Sequence, residues 1–256
     1  VDNLYTTLEF IIKTIKEQES KSMYDKTLTE TRLNLRKEGK ITINFLGFVD
    51  KIKYLEDNDG KYLVAIIDYK TGYVPTTLDN INYGLHLQLP VYIYLTKRGL
   101  HKDIKITGFY LQKILNGKTV DSDSFEEDSK KALKLDGYSI DSEEELIKFD
   151  RTYTKSDVIK GMATTSKGFA HYAKLFNDSD IEKIDRIVDE RINEVVEAIW
   201  KGDFPINPKR VKGELIGCEF CKYKEICYRR EEDIVDLEYK TREDILGDDL
   251  NAKVDE

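Results

Sequence analysis

Cysteine, histidine, methionine and proline are scarce in this chain of 256 residues, at three, three, two and four copies, and there is a single tryptophan. No apolar run approaches the roughly 20 residues that a membrane-spanning helix requires, which excludes the class of proteins built on such helices. No basic segment followed by an apolar stretch opens the chain as a secretion signal, so a cytoplasmic location without membrane contact is expected. The first residue is Val1 and both methionines are internal, so the chain reads as a piece of a longer protein or a trimmed one. No internal repeat is evident. What is present is 40% hydrophobic residues, enough to bury the core of one large domain or of a domain with appendages.

The net charge of −8 argues against a nucleic-acid partner until it is located. Residues 231–256 hold 11 Asp and Glu against 3 Lys and Arg, which leaves 38 of each sign in the first 230 residues. The body is therefore neutral and can carry a local basic groove, since phosphate contacts need only a patch. The acidic 231–256 stretch is expected as a solvated, partly helical tail, with a DNA-mimicking inhibitor of the site as the less favoured reading.

The chain is organised around Asp68-Tyr69-Lys70-Thr71-Gly72, which ends the apolar run from Tyr62. Side chains alternate along a strand, so Asp68 and Lys70 project to one side and Tyr69 to the other. A second apolar run, from Ile41 to Leu55, contains Asp50, and the turn-rich segment Glu56-Asp57-Asn58-Asp59-Gly60 lies between the two runs. Such a pattern predicts an antiparallel hairpin. Folding it about Asp59 pairs residues whose numbers sum to 118, which sets Asp50 opposite Asp68. Two carboxylates about 5 Å apart in a hydrophobic sheet repel unless one is protonated or a cation bridges them. A hard divalent ion such as Mg²⁺ removes that conflict. A salt-bridged Asp–Lys pair in an ordinary hairpin is the competing reading, and a register slip of one residue would separate the carboxylates.

Around this hairpin, Asn3 to Glu38 has helical composition, with Leu4, Leu8, Ile11, Ile12 and Ile15 spaced as one face. Ile81 to Arg98 reads as a helix in which Pro90 is tolerable only near the first turns or with a kink, and in which Gln88 and Tyr92 share a face. His86, about 200° around that helix from Gln88, is expected to pack or face solvent. Asp103 to Leu115 supplies a further strand. Residues 116–160 are polar and are expected as an irregular insertion with one or two short helices. A long amphipathic helix is expected over 176–202, with Trp200 in the core. The tyrosines, among them Tyr54, Tyr62, Tyr83, Tyr94 and Tyr110, suit packing, with one or two near the site able to stack a base.

The three cysteines, Cys218, Cys221 and Cys227, follow the spacing C-x2-C-x5-C. A disulfide reading leaves one thiol over, and tight clusters of this kind ligate zinc or an iron–sulfur centre. Either needs a fourth ligand, and His86, His101 and His171 lie far off in sequence. A lost upstream ligand, a vestigial cluster and three ordinary thiols all remain open on spacing alone.

Four segments, in order, carry a resemblance. Gly47-Phe-Val-Asp50, Ile67-Asp68-Tyr69-Lys70-Thr-Gly72, Gln88-Leu-Pro-Val-Tyr92 and the cysteine spacing, preceded by Gly202-Asp-Phe204-Pro-Ile-Asn-Pro208, together resemble the PD-(D/E)XK nuclease domain of the RecB family. The nearest likeness is to the C-terminal nuclease domain of AddB-type helicase–exonuclease subunits, over about residues 30 to 230. The resemblance implies an α/β, restriction-endonuclease-like core: a mixed central sheet with an antiparallel hairpin carrying the acidic site, flanked by helices. It divides the nuclease domain, 1–230, into a helical lead-in (1–40), a catalytic core (41–115), a polar insertion (116–160), a long helix (176–202) and a cysteine segment (203–230), with the acidic tail after it.

On matching positions the resemblance implies that Asp50 and Asp68, with the carbonyl of Tyr69, hold Mg²⁺ or Mn²⁺. Lys70 would orient or help deprotonate the attacking water, and Gln88 and Tyr92 would contact phosphate and steady Lys70. Cys218, Cys221 and Cys227 would belong to a 4Fe–4S cluster that is incomplete in this chain. The implied activity is metal-assisted hydrolysis of DNA as the exonuclease module of a bacterial helicase–nuclease in double-strand-break repair, with DNA and a helicase–nuclease subunit as partners. The family's upstream His or Glu ligand and first cysteine have no counterpart here; Glu9, Glu17 and Glu30 are weak substitutes. A catalytically inactive DNA-binding or assembly module that keeps the fold is the alternative. A purely structural metal-knuckle domain leaves Asp50, Asp68 and Lys70 unexplained.

Overall fold

The computed structural model describes residues 2–39, 41–72, 74–100, 102–114, 125–218 and 221–247. They divide into two units, one of residues 2–77 and 88–185, the other of 78–87 and 186–247. Among the described residues no helix is long and apolar enough to cross a membrane.

The first unit opens with α1 (Asp2–Glu19), which ends well short of the expected Glu38. Residues 26–37 instead form the strand β1 (Lys26–Lys37). Thr27-Leu28-Thr29 and Leu33-Asn34-Leu35 alternate with period two, and that local pattern overrides the charged, helix-like composition. In α1 the buried side is Ile11, Thr14 and Gln18, while Leu4, Leu8 and Ile12 of the anticipated apolar face are exposed.

β2 (Ile43–Glu56) and β3 (Tyr62–Lys70) form the anticipated hairpin. Their register runs from Lys51 opposite Ile67 to Glu56 opposite Tyr62, the same sum of 118. The connection from β3 to the parallel strand β4 (Ile104–Lys113) contains α2 (Gln88–Gly99). The helix expected from Ile81 is thus interrupted. Residues 81–83 make one 3₁₀ turn, Gly84 and His86 take positive φ, and α2 starts at Gln88. Pro90 then falls in the first turn, where its missing N–H costs nothing.

The polar 116–160 stretch is not simply an insertion. Within it, α3 (Phe125–Ala132) and α4 (Glu143–Phe149) flank β5 (Asp136–Ile140), an inner strand of the main sheet. Residues 115–124 lie outside the described set. The sequence signal of β5 is weak because Gly137 and Ser139 alternate with Tyr138 and Ile140 in a five-residue strand: Gly137 lies against the backbone of β4, and Ser139 Oγ pairs with the Tyr110 hydroxyl at 2.8 Å. After a small hairpin of β6 (Thr164–Thr165) and β7 (Gly168–Phe169), β8 (Leu175–Phe176) completes a six-stranded mixed sheet in the order β1-β2-β3-β4-β5-β8. Its core includes Ile52, Ile66, Ile93, Tyr94, Phe109, Tyr110 and Phe176, all fully buried.

α5 (Asp178–Lys201) runs through the division at residues 185 and 186. Trp200, expected in the core, is 65% exposed, and its neighbours Val195 and Ile199 are exposed with it. In the second unit β9 (Lys209–Val211) pairs with β10 (Glu214–Ile216) and with β11 (Val235–Leu237). Residues 231–247 are therefore no solvated tail. Arg210 binds Asp236 and Glu231, the Tyr239 hydroxyl donates to Asp79, and α6 (Arg242–Leu246) follows. Local ion pairs let an acid-rich segment enter a sheet. Residues 248–256 lie outside the described set.

Candidate active site

The hairpin ladder stops one step before Asp50. At that level Asp50 Oδ2 accepts the backbone N–H of Tyr69 at 2.8 Å, so a carboxylate takes the place of a ladder bond where the two strands part. Asp68, next to Tyr69 on β3, is only 2% exposed. Its Oδ1 accepts from Gln88 Nε2 at 2.8 Å, while its buried Oδ2 forms an ion pair with Lys70.

Gln88, the first residue of α2, joins the cluster at both ends of its amide. Its Oε1 accepts from Lys70 Nζ at 2.8 Å, and its Nε2 also reaches the Tyr92 hydroxyl at 3.1 Å. The spacing of four residues places Tyr92 one turn along the same face of α2. Asp50, Asp68, Lys70, Gln88 and Tyr92 are therefore gathered at the end of β3 and the start of α2.

Burial pushes the Asp68 carboxyl above the usual aspartate range; Lys70 opposes that shift and the Asp50 charge adds to it. Burial also raises the Tyr92 phenol, with the Gln88 hydrogen bond acting against it and the Asp68 and Asp50 charges acting with it, so this hydroxyl stays a donor. Two carboxylates are thus held close in a site that disfavours their joint charge. The hard carboxylate oxygens of Asp50 and Asp68, whose charges oppose each other, fit a divalent ion such as Mg²⁺, which is commonly held by one or two carboxylates together with water and substrate phosphates.

No third acidic, histidine or cysteine side chain among the described residues joins them into a larger metal-holding group. Glu9 and Glu17 are exposed on α1. Glu30 is level with Asp50 in the β1–β2 ladder but is exposed, with φ at 45°.

The cysteines behave differently. Cys218, Cys221 and Cys227 are free thiols, with Cys221 exposed, and they do not converge as a metal-holding group. A four-iron cluster takes four thiolates. This donor set does not fit one, and no chemistry is derived from it.

The model of the PD-(D/E)XK nuclease superfamily matches residues 2–228. The chain belongs to that superfamily. This superfamily member is also similar to curated proteins that are each named as one subunit of an ATP-dependent helicase/deoxyribonuclease. It is 26% identical over 196 residues to the one from Carboxydothermus hydrogenoformans, 73% of this chain and 18% of that protein. To those from Alkaliphilus oremlandii and Clostridium novyi it is 26% identical over 217 residues and 27% over 194, covering 81% and 72% of this chain and 19% and 17% of theirs. The superfamily chain thus spans less than a fifth of the length of these relatives.

Three residues beside the site were not singled out from the sequence. Lys51 and Lys53 of β2 are buried, and Glu19 at the end of α1 lies 2.6 Å from the Lys51 ammonium. The alternation Lys51-Ile52-Lys53 is the signal that could have found them: both faces of that strand are covered, so two lysines on one face require an acid from another element.

Proposed function

We propose that this domain hydrolyses DNA phosphodiester bonds with Mg²⁺ or Mn²⁺, as the exonuclease module of a cytoplasmic helicase–nuclease acting in double-strand-break repair beside a partner subunit. The observation that carries the reading is the Gln88 amide, which bonds Asp68 with one end and Lys70 with the other, beside Asp50. An ordinary salt bridge in a hairpin has no need of a third residue fixing the direction of both charges.

Asp50 and Asp68, with the Tyr69 carbonyl, would hold the ion. When bound, it supplies a Lewis acid for the phosphoryl oxygen and lowers the pKa of water. Lys70, held by Asp68 and Gln88, keeps an ammonium where negative charge grows on the phosphate and where it can orient the attacking water. Tyr92 keeps its proton and offers it to a phosphate oxygen. Gln88 fixes Lys70 and Asp68 before reaction, so little reorganisation is needed. Water adds to phosphorus and gives up a proton to solvent, the bond to the leaving oxygen breaks, and that oxygen takes a proton from solvent.

The test is degradation of linear DNA with Mg²⁺ or Mn²⁺ and with chelator. Hydrolysis that requires the ion and is lost in Asp68→Asn and Lys70→Met is expected; equal activity in these variants sinks the assignment. The absence of a third acidic or histidine ligand among the described residues favours one second reading, a DNA-holding module without catalysis. It predicts salt-sensitive DNA binding with no hydrolysis under any metal.

A further inference from the structure

Behind the candidate site the sheet carries a second group of charges that the proposed chemistry does not use. The side chains of Lys51 and Lys53, on β2, are each 7% exposed, and among the described residues Glu19 is the acid that pairs with them. Glu19 Oε1 lies 2.6 Å from Lys51 Nζ and 3.7 Å from Lys53 Nζ. Lys51 directly follows Asp50, is paired across the hairpin with Ile67, and stands 5.9 Å from the centre of the Tyr69 ring. Tyr69 in turn lies between Asp68 and Lys70, and its N–H donates to Asp50.

The residue before Glu19 grips the same row of the sheet. Gln18 Oε1 accepts from Gln112 Nε2 at 3.0 Å, Gln18 Nε2 donates to the Leu133 carbonyl at 3.2 Å, and Gln112 is the β4 partner of Tyr69. The last turn of α1 is thus tied to β2 one residue from Asp50 and to β4 beside Tyr69.

We infer that the end of α1, acting through the Glu19–Lys51 pair, positions Asp50 against Asp68, so that Glu19 and Lys51 are positioning residues for the cation site. The inference rests on the proposed metal-dependent reading of that site. β2 and β3 part at Asp50, so on the β3 side this residue is held through Tyr69 N–H, while β1 pairs with its neighbours Val49 and Lys51; a clamp on the Lys51 side chain further limits how far this end of β2 can drift. Outer partners that orient metal ligands typically set affinity by about 10- to 100-fold.

The experiment measures Mn²⁺ binding by titration calorimetry and thermal unfolding in parallel. Glu19→Gln is expected to weaken Mn²⁺ binding by about 10-fold or more. Because it leaves two buried ammonium groups without a counter-charge, it can also fail to fold. The triple variant Glu19→Gln, Lys51→Met, Lys53→Met removes all three charges, and replacing buried ion pairs with apolar side chains is often neutral or stabilising. It is expected to melt near the wild-type temperature yet still bind Mn²⁺ about 10-fold more weakly. Wild-type affinity in the folded triple variant overturns the inference, since the charges would then matter to folding alone. Asp68→Asn separates the two levels: Mn²⁺ binding unchanged by Asp68→Asn means that the metal-site reading itself has failed, whereas binding lost there but kept in the triple variant refutes only the positioning role.

Discussion

Gln88 donates its side-chain amide to Asp68 Oδ1 at 2.8 Å, joining the first residue of a helix to the end of a strand 20 positions earlier. An amide has one donor end and one acceptor end, so the same side chain also accepts from Lys70. Neither glutamate nor lysine can serve both charges.

Gln88→Ala is therefore expected to lower kcat/KM for DNA by roughly 10- to 100-fold, since hydrogen bonds to charged groups contribute about 1.5–3 kcal/mol. Gln88→Glu should be worse, because it sets a third carboxylate beside Asp68. Steady-state kinetics on a labelled duplex would show this; wild-type kcat/KM in Gln88→Ala would mean that the bridge has no part in the reaction.

Asp150 organises the loop after α4 and is fully buried. Its Oδ1 accepts from Thr152 N and Oγ1, and its Oδ2 from Ser156 Oγ, which itself accepts from Val158 N and Ile159 N. Asp150→Ala strands the buried Ser156 hydroxyl and two part-buried donors of Thr152 and should cost about 3 kcal/mol. Denaturant unfolding that moves by less than about 1 kcal/mol would contradict this account.

Burial pushes the Asp136 carboxyl up, but hydrogen bonds from Lys174 and Lys160 outweigh it and hold the group below the ordinary aspartate value of 3.8. A lowered folded value means that the unfolded chain binds the proton more readily, so this contribution is present above 3.8 and is lost as pH falls through the folded value. The stability gap between wild type and Asp136→Asn should thus be largest near neutrality and close in acid. Melting curves from pH 7 to pH 3 measure it, and a gap that widens in acid would reverse the sign.

Gly137 of β5 leaves no room for a side chain: a Cβ there would meet the Phe109 carbonyl oxygen and lie 2.7 Å from Tyr110 Cα. Both obstacles are backbone, so no rotamer change relieves them. Gly137→Ala should cost more than about 3 kcal/mol, while Gly60→Ala, which meets nothing within 4 Å, should be milder despite its positive φ. Comparable melting temperatures for the two variants would contradict the packing of β5 on β4.

The grouping of the candidate residues was legible because they lie within short, strongly patterned segments. Asp68, Tyr69 and Lys70 share one strand end, the turn at Asp59 sets a hairpin register that ends one step short of Asp50, and Gln88 and Tyr92 are one helical turn apart. Residues 26–37 have a helix-like composition yet form β1, and β5 carries little strand signal, because charged or small side chains mask their period of two. Trp200 ends an apolar face of its helix, which points to the core, but an apolar residue at a helix end is buried only if another element covers it, and Trp200 is exposed.

Sequence by itself determined the hairpin and its register, since both depend on neighbours a few residues apart. Only the tertiary structure decided that Glu19 meets Lys51, that Gln88 joins Asp68 to Lys70, and that Val235–Leu237 of the acidic stretch pair into a sheet. Those pairings are made across long separations, where burial and charge neutralisation choose the partner and no local period records the choice.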